Sequence, residues 1–532
     1  MMKSRYIALF LLLFALLIAC SKEVDQFPNL SKRIPYLMER LYSNRWKVRY
    51  CSVDDLTGRD AETKRVIETL IRDENKGVAN RALIRYLIGF VDIDKTLFKP
   101  ELYFHGVVGY DLFEPGPVND EDYDAFVDNH LRVLDSARLD IHSMDESLMI
   151  VGIMGKPSDA EAVYPFLQSP YDDIALAAAK AVIRLGHKKK GCETLQRLAS
   201  WDSSKDTPYM YWALYALKEM QDPELETIVL DGLASIDSSE GIAPNKVNRF
   251  LLLAADVTSK DVWNVKEPWN KAEGVGQFPD LSKRIPYLME RLHSNRWKVR
   301  YCLISDLTGR DIETKRVLKT LMLDENKSVA NQATVRYLNA FVEIDRSLFK
   351  PELYVPGRFP VTDLPDKERT NALVDYCLGR RDIPRKSHDD EQSFLPVLNP
   401  EQLDNPRMHE TLTVVGILGK PGDAEKLYPF LQSTNDYAAL GAIKAVIRIG
   451  DKKKGMEALR RLASWDPSKH LGYVTEALYA LKEMQDPELE TIVIDVLSVI
   501  DQSEGIQLNW LNRFLLLAAD VTSKDVWNIE KP

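Results

Sequence analysis

Residues 43–58 read SNRWKVRYCSVDDLTG, and residues 294–309 read SNRWKVRYCLISDLTG. Within the first stretch Val48, Cys51, Ser52, Asp55 and Leu56 recur at i, i+3, i+4, i+7 and i+8, which predicts one face of a helix that Gly58 stops. Upstream, Leu30, Ile34, Leu37, Met38 and Leu41 have the same spacing, with Ser31 as candidate N-cap and Pro35 confined to the first turn. Two amphipathic helices joined at Ser43-Asn44 make a helical hairpin.

The repetition extends far beyond this stretch. Residues 26–103 align without a gap on 277–354, and Val151–Trp263 aligns on Val415–Trp527. The 532 residues therefore divide into a tandem pair of about 240 to 250 residues each, copy 1 over 26–264 and copy 2 over 277–532, joined by the linker VKEPWNKAEGVG at 265–276. Further hairpins follow the first, beginning with ETKRVIETLIRDENKGVANRALIRYLIGFV from Glu62. In another, Ile174, Ala177, Ala178, Ala181, Val182 and Leu185 form a stripe of mostly small residues that lets helix axes approach closely. No convincing period-2 strand interrupts them. The expectation is an all-α fold, an α-solenoid of stacked hairpins in two tandem copies. Between the aligned blocks lie Pro-, Gly- and aromatic-rich excursions, residues 92–118 in copy 1 and 350–365 with 379–407 in copy 2.

The pattern Asn44, Val48, Arg49, Cys51, Leu56, Gly58 resembles a HEAT repeat of the kind also found in bilin-lyase-type helical arrays. The resemblance implies that Val48 and Val299 are core, and that Arg49 and Arg300 bond loop carbonyls or a carboxylate of the neighbouring hairpin. It also implies that the second helix of each hairpin lines a concave wall. Arg45, Trp46, Lys47 and Tyr50, with Arg296, Trp297, Lys298 and Tyr301, supply cations and aromatic faces at the start of that helix, and are the candidate residues for holding an acidic peptide or an anionic sugar. The bland alternative is packing between hairpins.

At the N-terminus Lys3 and Arg5 precede an apolar run from Tyr6 to Cys20, short for a bilayer span and suited to a secretory signal peptide over residues 1–20. Leu17-Ile18-Ala19-Cys20 resembles a bacterial lipobox, which implies acyl chains on Cys20, a membrane anchor, and a place in the cell envelope, with Ser21 and Lys22 pointing to the outer membrane. A net charge of -10 disfavours nucleic acid as a partner. Cys51, Cys192, Cys302 and Cys377 have no disulfide or zinc spacing and read as apolar filler.

A site required by both copies has to recur, and none of the eight histidines faces a histidine in the other copy. NDEDYDAF at 119–126 lacks the glycine and final glutamate of a calcium loop, and HKKKG at 187–191 with DKKKG at 451–455 reads as solvated loops. No phosphate loop, dinucleotide fingerprint or nucleophile elbow occurs. These readings predict no catalytic residues, no metal and no cofactor. The expected function is a lipid-anchored scaffold or adaptor that binds a protein or peptide partner. The competing reading is an enzyme or lyase-like protein with its site in the central loops of one copy, near His105, His130 or His142.

Overall fold

In the computed structural model the described residues are 27–98, 127–264 except 129, 133, 135–143, 202–206 and 239–242, then 278–349, 366–380, 395–399, 401, and 408–528 except 467–468 and 501–505. The N-terminal segment with Cys20, the linker 265–276, His105, His142, the acidic stretch 119–126 and most of both central excursions lie outside them. The chain forms two compact units, Met1–Glu267 and Pro268–Pro532. Among the described residues every regular element is helical. Each unit is an α-solenoid of stacked hairpins.

In unit 1 the helices are α1 (Pro28–Arg33), α2 (Leu37–Leu41), α3 (Trp46–Asp55), α4 (Ala61–Leu70), α5 (Lys76–Gly89), α6 (Met144–Met154), α7 (Ala160–Val163), α8 (Asp172–Arg184), α9 (Lys188–Ala199), α10 (Thr207–Glu219), α11 (Leu225–Ser238) and α12 (Pro244–Val257). In unit 2 they are α13 (Pro279–Arg284), α14 (Leu288–Leu292), α15 (Trp297–Asp306), α16 (Ile312–Leu321), α17 (Lys327–Ala340), α18 (Asp366–Cys377), α19 (Met408–Leu418), α20 (Asp436–Ile449), α21 (Lys452–Ala463), α22 (Leu471–Glu483), α23 (Leu489–Ile500) and α24 (Leu508–Val521).

The opening hairpin departs from the expected single helix over Leu30–Leu41. Pro28, not Ser31, opens α1, and Ser31 sits inside it. Pro35 disfavours helical geometry at Ile34, which is extended at φ -111°, and Tyr36 then turns left-handed at φ 55° before α2 begins. The same break recurs at Ile285 and Tyr287. The free amides at the start of α1 are satisfied from α4, where the Glu62 carboxylate accepts from Asn29 and Leu30 nitrogens at 3.1 and 3.0 Å.

Side-chain caps start the following helices. Asp60 accepts from the Thr63 nitrogen, and Asn75 from the Gly77 and Val78 nitrogens. Val66, Ile67 and Leu70 of α4 pack with Val78, Ala82 and Leu83 of α5, all buried. The alanine stripe of α8 does what its composition predicts. A Cβ built on Gly152 of α6 would lie 2.6 Å from the Ala181 Cα, and one on Gly416 of α19 would lie 2.5 Å from the Ala445 Cα of α20. Only glycine opposite alanine permits backbones this near.

Buried polar contacts set the stacking across the central excursion. From α8, Lys180 Nζ donates to the Ile88 carbonyl at 2.6 Å, and Arg184 donates to the carbonyls of Leu87, Phe90 and Val91 at 2.9, 2.8 and 3.2 Å. These side chains satisfy orphan carbonyls at the end of α5. Glu219 of α10 accepts from the Val91 and Asp92 nitrogens at 2.7 and 3.2 Å and from Lys64. Unit 2 repeats the arrangement: Lys444 donates to Asn339, Arg448 to Leu338, Phe341 and Val342, and Glu483 accepts from Val342 and Glu343.

Candidate functional site

The repeated motif divides by depth. Val48 and Val299 are fully buried, and Arg49 and Arg300 are buried with them. Arg49 donates to the Ser43 carbonyl at 2.7 Å and to the Asp73 carboxylate of the next hairpin, and Arg300 does the same with Ser294 and Asp324. The Asp73 contact holds the Arg49 guanidinium above its ordinary pKa.

Arg45 is also inside, only 8% exposed at the N-cap of α3, so it stands apart from the solvent-facing group. What remains outward is Trp46, 40% exposed, with half-buried Lys47 and Tyr50. Trp46 meets Tyr50 edge to face at 6.5 Å, and the Arg81 guanidinium of α5 lies 6.0 Å above the Tyr50 ring. In unit 2 Arg296, Trp297, Lys298 and Tyr301 are all half-buried; Trp297 meets Tyr301 at 6.4 Å, and the Lys298 ammonium lies 5.9 Å from the Trp297 ring.

A larger aromatic feature occurs in unit 2. His409 of α19 stacks on Tyr437 of α20 with ring centres 4.2 Å apart, and Tyr437 meets Tyr473 of α22 at 5.8 Å. His470, the N-cap of α22, lies 5.4 Å from Tyr473 and 5.5 Å from Trp510 of α24, and the Arg513 guanidinium stands 4.9 Å over Trp510. Every ring comes from the N-cap or first turn of its helix. The strip thus crosses four helices, buried at His409, half-buried at Tyr437, Tyr473 and Trp510, and exposed at His470. Burial against Lys444 and Arg448 pushes the His409 imidazole down to about 3, so it is neutral.

Beneath the strip Glu476 of α22 is held between two arginines, Arg310 from the loop after α15 and Arg513 from α24, the latter at 2.9 Å. Despite its burial the carboxyl stays below its usual pKa, because Arg310, Lys444 and Arg513 favour the anion.

Sequence reasoning missed the strip for two reasons. Its members are far apart in the chain, and the aligned positions in copy 1 are Asp145, Asp173, Tyr209, Asp206 and Lys246, so repetition gives no signal. The lysine runs read as loops are instead the first turns of α9 and α21. Lys190 and Lys454 stack over Tyr164 and Tyr428 at 3.4 and 3.5 Å, and Asp451 caps α21.

Among the competing catalytic candidates, His130 lies 3.1 Å from the Ser147 hydroxyl, with its pKa lowered by burial. None of the four described cysteines forms a disulfide, all are buried, and desolvation pushes the Cys51 and Cys377 thiols up to about 12. Among the described residues no group of His, Cys, Asp and Glu is placed to hold a metal ion, and no helix is long and apolar enough to cross a membrane.

No protein-family model matches the chain, and no curated protein matches it. The crystal structure of Kap121p bound to Ste12p is similar at 11% identity and a TM-score of 0.23, covering 92% of this chain and 49% of that one. The chain thus spans about half the length of that solved structure.

Proposed function

We propose that the chain is a recognition scaffold that binds a protein or peptide partner on its helical-repeat surface. The observation that carries this reading is the partly exposed aromatic strip Tyr437, Tyr473, His470 and Trp510 with Arg513 over its end. Tyr, Trp and Arg dominate the energetics of protein interfaces because they contribute large apolar area with a polar handle. A rigid row of such rings across stacked helices suits an extended segment better than a small molecule. The repeated patches at Trp46, Lys47 and Tyr50 and at Trp297, Lys298 and Tyr301 add flanking contacts.

The Lys3, Arg5 and Cys20 pattern supports export and lipid attachment at the bacterial cell envelope, where the scaffold works on the outer membrane. The test is affinity capture from envelope extract with the parent chain and with Tyr473→Ala/Trp510→Ala. A partner retained by the parent and lost by the double variant is expected. Equal capture by both overturns the assignment of the strip.

A further inference from the structure

The two units differ by one carboxylate at the same place. In unit 2 Glu476 neutralises Arg310 and Arg513, beneath buried Lys444. Unit 1 keeps the aligned cations Arg59, Arg249 and Lys180, but the residue aligned with Glu476 is Trp212. Arg85, the counterpart of Arg336, is kept as well.

The neighbouring groups of unit 1 are already engaged. Glu219 is occupied by the Val91 and Asp92 nitrogens and Lys64, Asp256 pairs with Lys218 at 3.1 Å, and Asp54 pairs with Arg81 at 2.8 Å. Lys180 donates to the Ile88 carbonyl, and Arg85 uses Nε for the Leu56 carbonyl at 2.6 Å. Among the described residues no carboxylate bonds to Arg59, Arg85 or Arg249. Arg59 lies against the end of α5, where a Cβ on Gly89 would stand 2.2 Å from Nη1. Unit 2 has Ala340 at that position, and its arginine lies on Glu476 instead.

Arg59 and Arg85 are half-buried and Arg249 is exposed, and desolvation together with repulsion from Arg85 lowers the pKa of Arg59 although Glu219 acts against the shift. Half-buried Trp212, edge to face with Tyr209 at 5.4 Å, and Tyr215 border the group on α10.

We propose that Arg59, Arg85 and Arg249 of unit 1 bind a carboxylate presented by an acidic segment of the protein partner, which takes the place that the Glu476 side chain fills in unit 2. The inference rests on the recognition reading above and names the chemistry of the segment. Guanidinium forks match a carboxylate in two-point geometry. The internal precedent is the Arg310–Glu476–Arg513 cluster itself.

The experiment titrates the full chain with fluorescein-labelled hexaglutamate, and with hexaglutamine as the uncharged probe, by anisotropy at low salt. Hexaglutamate is expected to bind one equivalent, and hexaglutamine not to bind. Arg59→Gln and Trp212→Glu should each weaken binding tenfold or more, whereas Trp212→Phe stays within threefold. Trp212→Glu should also raise the melting temperature, since its carboxylate joins Arg59 and Arg249 within the chain. That readout keeps the idea testable even if the peptide binds weakly. Hexaglutamate affinity unchanged by Arg59→Gln, or a lower melting temperature for Trp212→Glu, overturns the site. A captured partner retained by Arg59→Gln but lost by Tyr473→Ala/Trp510→Ala overturns the carboxylate site while leaving recognition intact. Loss through Arg59→Gln with retention by the strip variant does the reverse.

Discussion

Arg49 and Asp73 form a two-point ion pair between consecutive hairpins, Nε to Oδ2 at 2.6 Å and Nη2 to Oδ1 at 2.9 Å. The same Oδ1 accepts from the Asn75 nitrogen at 2.8 Å, and Asn75 caps α5, so one carboxylate ties α3, the loop and the next helix together. Arg300, Asp324 and Asn326 repeat every bond.

Because both partners are buried, removing one strands the other without water. Arg49→Gln should therefore cost about 3 to 5 kcal/mol, and replacing both partners by apolar residues should recover part of that loss. Chemical denaturation monitored by circular dichroism measures it. A loss below about 1 kcal/mol would show that the pair is solvated and the hairpins are joined by apolar packing alone.

This pair was legible in the sequence and the aromatic strip was not, and the reason is physical. Arg49 belongs to a local pattern that the fold needs in each copy, so both repetition and resemblance point to it. Lys180 and Arg184, four apart in an otherwise apolar helix and matched by Lys444 and Arg448, carried a similar signal that periodicity alone does not decode. Their acceptors are backbone carbonyls some ninety residues away, a relation no side-chain pattern records. Tyr437, Tyr473 and Trp510 meet only because three hairpins stack in register. The helix break at Pro35 was open to reading from the proline, but the left-handed turn at Tyr36 was not.

The close approach of α6 and α8 sets a second expectation. Gly152→Ala places a methyl group 2.6 Å from backbone at Ala181, which cannot swing aside as a side chain would. The overpacking should cost about 1 to 3 kcal/mol, visible as a lower melting temperature. Gly422→Ala, where the added methyl meets nothing within 4 Å, should melt near the parent. Equal melting of the two variants would mean that the helices can separate freely.

A pH dependence follows from Lys444. Burial pushes its ammonium down to about 7 from an ordinary 10.5. Between those values the unfolded chain holds a proton that the folded chain releases, so folding stability contributed by this residue rises with pH across that window. The slope is at most about 1.4 kcal/mol per pH unit. The stability difference between parent and Lys444→Met, measured by denaturant titration at pH 7 and pH 9, should shift toward the parent at the higher pH. A difference unchanged between the two pH values would show that the folded state retains the proton there, held by Glu476 and Glu483.

Lipid attachment at Cys20 predicts a clean fractionation result. Cys20→Ser should move the chain from the membrane to the soluble fraction and abolish incorporation of a labelled fatty-acid analogue, since two or more acyl chains are what hold such a protein durably. Unchanged partitioning with unchanged labelling overturns the anchor.

The last expectation concerns the repeated patches, where depth now separates the motif's members. Arg45, Arg49 and Arg300 serve the hairpin, which leaves Trp46, Lys47, Tyr50, Trp297, Lys298 and Tyr301 as the probes of recognition. Lys47→Gln or Lys298→Gln alone should weaken the captured partner a few-fold, because a partly exposed cation contributes little by itself. Together they should weaken it by more than either change alone, since two weak contacts on one chain act through effective concentration. Raising salt should reproduce the double change, as exposed charges are screened within about 10 Å at 0.1 M. Melting should stay near the parent throughout. If the double variant binds as tightly as the parent at low salt, then the motif recurs because the hairpin recurs, and recognition belongs to the aromatic strip and the arginines of unit 1.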